Sequence, residues 1–181
     1  MRATRTGSPH VLYEEFTMEF DVEIRRLSPK FTQDYPQSSF PELMYKDNRP
    51  YTCLLIDTHT DYFICIPFRS EIGHSNAYMF SSTARSKRSA SGLDYSKVAI
   101  IKDSSYIDSA QAIVDKDEFN ETMIHILQIS NDICTYIDNY CNHCNGKAIM
   151  HERSFSRCYQ YSTLKYFHDI LGLASFNTTH T

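Results

Sequence analysis

The hydrophobic pattern of the first half of the chain predicts β-strands. Residues 20–27 (FDVEIRRL) alternate apolar and charged side chains, as a strand with one buried face does. Residues 51–56 (YTCLLI) and 62–68 (YFICIPF) are apolar runs separated by a polar connection of hairpin length. Two more candidate strands, 77–80 and 97–102, flank a loop rich in Ser, Arg and Lys. The pattern predicts a small antiparallel sheet, or an open barrel, with a central hairpin.

The second half of the chain changes to a helical period. One stripe recurs at alternating spacings of four and three between Asp117 and Gly146, which predicts a single long helix. Its members are Phe119, Met123, Ile126, Ser130, Ile133, Ile137, Tyr140 and Cys144. Five apolar positions predict a second, terminal helix that begins at Ser154 or Ser156 and ends at Gly172: Cys158, Tyr161, Leu164, Phe167 and Leu171. The predicted fold class is α+β, a small antiparallel sheet packed by two C-terminal helices.

Length and composition fit one domain. The chain has 181 residues, of which 41% are hydrophobic, enough for one sizeable core. Residues 1–17 differ from the rest, so we interpret them as a leader or disordered N-terminus, 18–175 as a single domain and 176–181 as a flexible tail. The chain lacks a run of about 18 apolar residues. We therefore expect no membrane partner, and cysteines within apolar runs indicate a reducing, cytoplasmic setting.

The charges are segregated along the chain, although the net charge is only −4. Residues 83–102 carry one acid and five basic residues: Arg85, Lys87, Arg88, Lys97 and Lys102. Residues 115–138 carry six acids and one base. Tyr78, Phe80 and Tyr95 lie near enough in sequence to offer stacking faces to unpaired bases. The pattern predicts an exposed basic loop that binds RNA, and the alternative is a merely flexible basic loop.

A cation, a hydroxyl, a carboxylate and an imidazole follow the second hairpin strand closely, as Arg69, Ser70, Glu71 and His74. RNA is cleaved without a metal when its 2′-OH attacks the neighbouring phosphate, which needs a proton acceptor, a cation and a proton donor. His74, Arg69 and Ser70 could fill these roles. The alternative is an ordinary surface turn with solvated charges and a capping serine.

The C-terminal half also contains a candidate zinc pattern, Cys141-Asn142-His143-Cys144, followed by His151 and Cys158. Structural zinc sites usually combine two paired ligand clusters, and Cys144 lies on the apolar stripe, so core cysteines are favoured. The sequence contains none of the common phosphate-loop, dinucleotide, metalloprotease or serine-hydrolase motifs. We therefore expect no metal and no cofactor.

Three segments resemble a known family: 49–57 (RPYTCLLID), 62–70 (YFICIPFRS) and 92–97 (GLDYSK). They are similar to the type III toxin–antitoxin endoribonuclease toxins, the ToxN/AbiQ family, and most of all to its CptN-like branch. In that family a basic residue precedes the first hairpin strand and a hydroxyl residue follows the second. These features fall on Arg49 and Ser70, with Tyr45 a weaker match upstream. The resemblance covers roughly residues 20–170.

The resemblance implies an SH3-like barrel of the MazF/Kid type with added helices. It implies cleavage of single-stranded RNA, cellular mRNA included, to a 2′,3′-cyclic phosphate and a 5′-hydroxyl. The implied inhibitor is an RNA pseudoknot antitoxin, which the toxin cuts from a repeat transcript and holds in an assembly with two or more toxin copies. The ToxN pattern has Thr-Ser-Pro-Lys after the strand, whereas this chain has Arg69-Ser70-Glu71-Ile72. Arg69 or His74 would then replace the absent lysine.

The basic loop and the C-terminal helical surface are the predicted RNA contacts. The cations of the helical surface are Lys147, Arg153 and Arg157. Two other function classes stay open at this stage. The same cations and tyrosines would serve a non-catalytic RNA-binding module. The long apolar stripe would also suit a helix that pairs with another protein, although the predicted sheet needs a cover of its own.

Overall fold

The computed structural model describes residues 21–43, 51–59, 61–110 and 112–174, and these residues form an α+β fold. The strands are β1 (Asp21–Arg26), β2 (Thr52–Asp57), β3 (Phe63–Arg69), β4 (Ala77–Met79), β5 (Gly92–Asp94) and β6 (Ala99–Ile101). The helices are α1 (Pro29–Asp34), α2 (Lys116–Ile124), α3 (Ile126–Cys144) and α4 (Glu152–Tyr159). Single 3-10 turns occupy Tyr95–Lys97, Ser104–Tyr106 and Thr163–Tyr166.

The strands make one open antiparallel sheet, and the predicted central hairpin is confirmed. The order is β1-β2-β3-β5-β4, and Ile56 of β2 lies opposite Ile64 of β3. The outer edge of β3 is shared by two strands, because β6 pairs with its first half and β5 with its last two residues. The chain between β5 and β6 leaves the sheet as the 3-10 turn Tyr95–Lys97. This interruption lies beside the end of β3, where the candidate site is found.

The core lies on both sides of the central hairpin. Residues 53–56 and 64–67 are buried without alternation, the pattern of strands that are covered on both faces. Ile129, Ile133 and Ile137 of α3 belong to the same hydrophobic cluster as these strands. The α3 part of the predicted apolar stripe is therefore confirmed as the cover of the sheet.

The prediction of one long helix is wrong at its N-terminal end. The helix is interrupted at His125, whose backbone (φ −106°, ψ 16°) separates α2 from α3. Phe119, expected to face inward, is 42% exposed, while Glu118 and Glu121 of α2 are buried. The buried face of α2 is polar because it binds a loop through hydrogen bonds. A hydrophobic period cannot reveal such a contact.

The prediction of a continuous terminal helix is also wrong. α4 ends at Tyr159, and residues 160–162 lead into the short 3-10 turn Thr163–Tyr166. α4 begins after His151, whose ring nitrogen accepts a hydrogen bond from the backbone N–H of Arg153, so the cap is neither Ser154 nor Ser156. Leu164 and Phe167 are buried as expected, but Tyr161 is 65% exposed.

Candidate active site

A buried carboxylate lies at the centre of the polar cluster beside the end of β3. Asp94, the last residue of β5, has no exposed surface. Its Oδ1 accepts hydrogen bonds from the backbone N–H of Ser96 (3.0 Å) and from the Ser96 hydroxyl (2.7 Å). Aspartate is favoured at this capping position because its side-chain oxygen satisfies the first amide of the turn. The other oxygen, Oδ2, faces the residues that follow β3.

Arg69 and His74 converge on this second oxygen. Arg69 donates from Nη1 to Asp94 Oδ2 over 2.6 Å, and His74 Nε2 lies 3.4 Å from the same atom. His74 Nε2 also lies 3.4 Å from the Ser96 hydroxyl. The two side chains stay 29% and 35% exposed, so each is anchored to a buried acid and still reaches solvent. The structure thus brings together two of the three residues that the sequence proposed for catalysis.

The backbone after β3 turns sharply to make this convergence. Glu71 has a φ of 59°, a left-handed conformation that costs a non-glycine residue about 1–2 kcal/mol. The next residue, Ile72, is 4% exposed, and its N–H donates to the carbonyl of Ala90 (2.9 Å). The turn therefore buries Ile72 and returns the chain so that His74 meets Asp94. Ser70, the third predicted residue, is half-buried beside Arg69 and takes no part in the contacts of Asp94.

Lys97 adds a second cation to this cluster. It ends the 3-10 turn that begins after Asp94, and its ammonium donates to the carbonyl of Tyr161 over 2.8 Å. Burial lowers the pKa of Lys97; the carboxylate of Asp94 opposes this shift, and the guanidinium of Arg69 adds to it. A half-buried cation close to another cation favours an anion such as phosphate beside it. The site thus has Arg69 and His74 in contact with the carboxylate of Asp94, and Lys97 three residues further along the chain with its ammonium on the carbonyl of Tyr161.

Much of the predicted basic loop is exposed, and the loop is also attached to α2 by hydrogen bonds. Glu121 accepts four hydrogen bonds, from the backbone N–H and the hydroxyl of both Ser81 and Ser82, over 2.6–3.2 Å. Asp117 accepts one more from the N–H of Ala84 (2.6 Å). Burial alone would raise the pKa of Glu121, but the donors of Ser82 and Ser81 hold it below its ordinary value. The loop has a defined position that its composition did not indicate.

The charge segregation in the sequence is partly explained by these contacts. Arg85 pairs with Asp115 (2.8 Å) and Glu118 (3.3 Å), so its charge is already compensated within the chain. Burial raises the pKa of Glu118, and the guanidinium of Arg85 opposes that shift. Lys87 and Arg88 remain exposed on the loop. Opposite charges far apart in sequence thus meet in the fold, which reduces the positive potential that RNA would encounter here.

The predicted stacking faces on this side of the molecule are mostly covered. Tyr95 is only 5% exposed and packs against Tyr136, so its assignment as an RNA contact is wrong. Phe80 is 5% exposed, and Tyr78 packs against it and against His125. These rings contribute to the core because β5 and the following turn lie in the middle of the molecule. Tyr95 and Phe80 are therefore covered, whereas Tyr78 keeps part of its surface exposed.

The remaining predicted RNA contacts lie on the surface. Lys102 is 3.8 Å from Asp61 in an exposed pair of the kind that contributes little to stability. Lys147 is exposed after α3, and Arg153 and Arg157 are exposed one turn apart on α4. Arg49 and Tyr45, which the family resemblance singled out, lie outside the described residues.

The cysteine and histidine pattern has other partners in the structure. His143 accepts a hydrogen bond from the N–H of Met150 (3.0 Å) and stacks on Phe155. All six cysteines are free thiols, and Cys141 and Cys144 are half-buried. Within the described part of the chain, no group of three or more His, Cys, Asp or Glu side chains is placed to hold a metal ion.

Asp94, Ser96 and Asn76 complete the site and were missed by sequence reasoning. In the sequence Asp94 is the single acid of a basic segment and belongs to the segment 92–97, and its position between Leu93 and Tyr95 is a signal of burial. Asn76 donates from its amide to the carbonyl of Cys158 (2.9 Å), which fastens the end of α4 to the site. The contact of His74 with Asp94 joins residues 20 positions apart and that of Asn76 with Cys158 joins residues 82 positions apart, so no local spacing predicts them.

Comparison with protein-family models, with curated proteins and with solved structures finds no match to this chain. Among the residues that the structure describes, no helix is both long and apolar enough to cross a membrane.

Proposed function

We propose that this protein is a metal-independent endoribonuclease that acts as the toxin of a type III toxin–antitoxin system in the cytoplasm. The observation that carries the proposal is the convergence of Arg69 and His74 on the buried carboxylate of Asp94, with Lys97 alongside. An acid–base group and two cations held around one fixed point are the groups that RNA cleavage through the 2′-OH requires.

The reaction can be written with these side chains. The 2′-oxygen attacks the phosphorus while His74 takes the 2′-OH proton, and the P–O5′ bond breaks as this proton is returned from His74, through a water molecule, to the 5′-oxygen. The products are a 2′,3′-cyclic phosphate and a 5′-hydroxyl. With its proton on Nε2, facing Asp94, the His74 ring has a lone pair on Nδ1 for this purpose. Arg69 and Lys97 would stabilise the charge on the phosphorane, and Ser70 would donate a hydrogen bond to it.

The proposed partner follows from the family resemblance of the segments 49–57, 62–70 and 92–97. The toxin would cut its antitoxin from a repeat transcript, and the resulting pseudoknot would then hold two or more toxin copies inactive. Expression of the chain alone should arrest growth, and co-expression of a repeat RNA from immediately upstream of its coding region should restore growth. Growth that is unaffected by the chain would contradict the toxin proposal.

Cleavage is tested with purified full-length protein, a single-stranded RNA of mixed sequence and EDTA. General acid–base catalysis contributes about 100- to 10,000-fold to a rate, so His74→Gln should lower cleavage at least about 100-fold. The matched control is His125→Gln, because His125 is an exposed histidine that packs against Tyr78 instead of Asp94. Equal loss in both variants, or full activity of His74→Gln with circular dichroism unchanged, would contradict the assignment.

The second candidate is a non-catalytic RNA-binding module. It is favoured by the exposed cations Lys147, Arg153 and Arg157, which lie outside the proposed catalytic cluster. Such a module would bind single-stranded RNA with a strong salt dependence and leave it intact. Gel analysis of the RNA recovered from the bound fraction separates the two candidates.

A further inference from the structure

Tyr161 is an exposed aromatic residue whose backbone is hydrogen-bonded to a residue of the candidate site. It is 65% exposed, although its place in the apolar pattern predicted burial. The neighbouring aromatic residues Tyr159 and Phe155 pack against α3, but no aromatic contact among the described residues involves the ring of Tyr161. Most of the surface of this tyrosine is therefore open to a ligand.

The backbone of Tyr161 is hydrogen-bonded to the candidate site. Its carbonyl accepts the hydrogen bond of the Lys97 ammonium (2.8 Å), and Lys97 directly follows Ser96, whose hydroxyl bonds Asp94. The amide of Asn76 holds the carbonyl of Cys158 on the same stretch of chain. Two side chains from the site therefore fix the backbone of the segment that carries Tyr161.

A row of polar side chains leads from Tyr161 along α4. Arg153, Arg157 and Gln160 line a shallow surface groove of about 480 Å³ together with Glu152 and Ser156. Arg153 and Arg157 lie on one face of the helix because they are four residues apart. The groove has two cations and one acid, and its lining includes Gln160, the residue directly before Tyr161.

We propose that Tyr161 is a base-stacking subsite for an unpaired nucleotide next to the phosphate held at Arg69 and Lys97, and that the strand continues along α4 past Arg157. The inference rests on the proposed function, since it specifies how that site holds single-stranded RNA. Aromatic rings that stack on unpaired bases beside a cationic path are a general means of binding single strands. Duplex RNA has its bases paired and cannot use the ring.

The test measures binding in the His74→Gln background, so that the RNA stays intact. The probes are a labelled single strand of about 12 nucleotides, within the range of single-strand binding sites, and the duplex of the same sequence. Tyr161→Ala should weaken single-strand binding roughly 5- to 150-fold, as expected for one lost base stack, and should leave duplex binding unchanged. Tyr161→Phe keeps the ring and should bind within about twofold of the parent. Phe119→Ala, at another exposed aromatic residue, is the matched control.

The salt dependence of RNA affinity distinguishes the loss of base stacking from the loss of a phosphate contact. Tyr161→Ala should keep the slope of affinity against salt, whereas Arg157→Ala should reduce it by about 0.7, the value for one single-strand phosphate contact. Parent-like affinity of Tyr161→Ala, or an equal loss in Phe119→Ala, overturns the inference and leaves the proposed nuclease standing. Failure of the His74→Gln parent to bind any single-stranded RNA overturns the proposed function as well.

Discussion

Glu121 attaches the basic loop to α2, so its substitution should lower the free energy of unfolding by an amount that the hydrogen bonds determine. In Glu121→Gln, one oxygen can still accept the donors of one serine, but the new amide group faces the N–H and hydroxyl of the other. Two hydrogen bonds to a carboxylate are lost, each worth about 1.5–3 kcal/mol. Because Ser81 and Ser82 are exposed, water replaces part of each contact, so we expect a loss of about 2–4 kcal/mol.

The assay is urea unfolding at pH 7 followed by circular dichroism, since the chain has no tryptophan for fluorescence. The matched control is Asp138→Asn, at an exposed acid of α3, which should stay within about 0.5 kcal/mol. Trypsin should also cut faster at the loop residues Lys87 and Arg88 in Glu121→Gln. A variant within about 0.5 kcal/mol of the parent would show that Glu121 does not hold the loop.

The Glu121 carboxylate should also make the free energy of unfolding depend on pH. The folded state lowers the pKa of Glu121, so its contribution is fully present above the unfolded value near 4.3 and is lost as pH falls through the folded value. The difference in free energy of unfolding between the parent and Glu121→Gln should therefore be constant from pH 7 to about pH 5 and shrink below about pH 4. A difference that grows on acidification would contradict the direction of the shift.

Three further predictions follow from single positions. Gly92→Ala should cost about 3 kcal/mol or more in urea unfolding, because a Cβ there would lie 2.0 Å from the backbone oxygen of Tyr78, whereas Gly73→Ala has open space and should be neutral. Tyr95→Phe should be neutral or stabilise the protein by about 1 kcal/mol in the same assay, since the buried Tyr95 hydroxyl has no hydrogen-bond partner among the described residues. Burial raises the pKa of Cys141 to about 11, so iodoacetamide at pH 8 should alkylate it roughly 100-fold more slowly than glutathione, as read by mass spectrometry.

The parts of the fold that could be predicted depend on local pattern. The hairpin of β2 and β3 was found because two apolar runs and a short polar connection encode it within 18 residues. The strand β5 was missed because Gly92–Asp94 is three residues long and begins with a glycine, a combination typical of a loop. The glycine is required there because β4 approaches so closely that no side chain fits.

Only part of the candidate site could be predicted from the sequence, for a related reason. Arg69 and His74 are neighbours in sequence, so a cluster of chemical groups after β3 could be proposed. The carboxylate that joins them comes from a different strand, and its partner Ser96 acts through a turn that no spacing indicated. The composition of the basic segment predicted a free positive charge, but its acidic partners in α2 and just before it lie 30 to 40 residues further along the chain and compensate part of that charge.

Two substrates of one sequence test directly whether the protein cleaves RNA through its 2′-OH. Purified protein in EDTA is given a single-stranded RNA and the same strand with every 2′-OH replaced by 2′-O-methyl, and the products are mapped at their ends. If His74 activates the 2′-OH, only the RNA is cut, with 2′,3′-cyclic phosphate and 5′-hydroxyl ends, and His74→Gln abolishes these products while His125→Gln does not. Cleavage of both strands, or cyclic-phosphate products undiminished in His74→Gln, would contradict this mechanism.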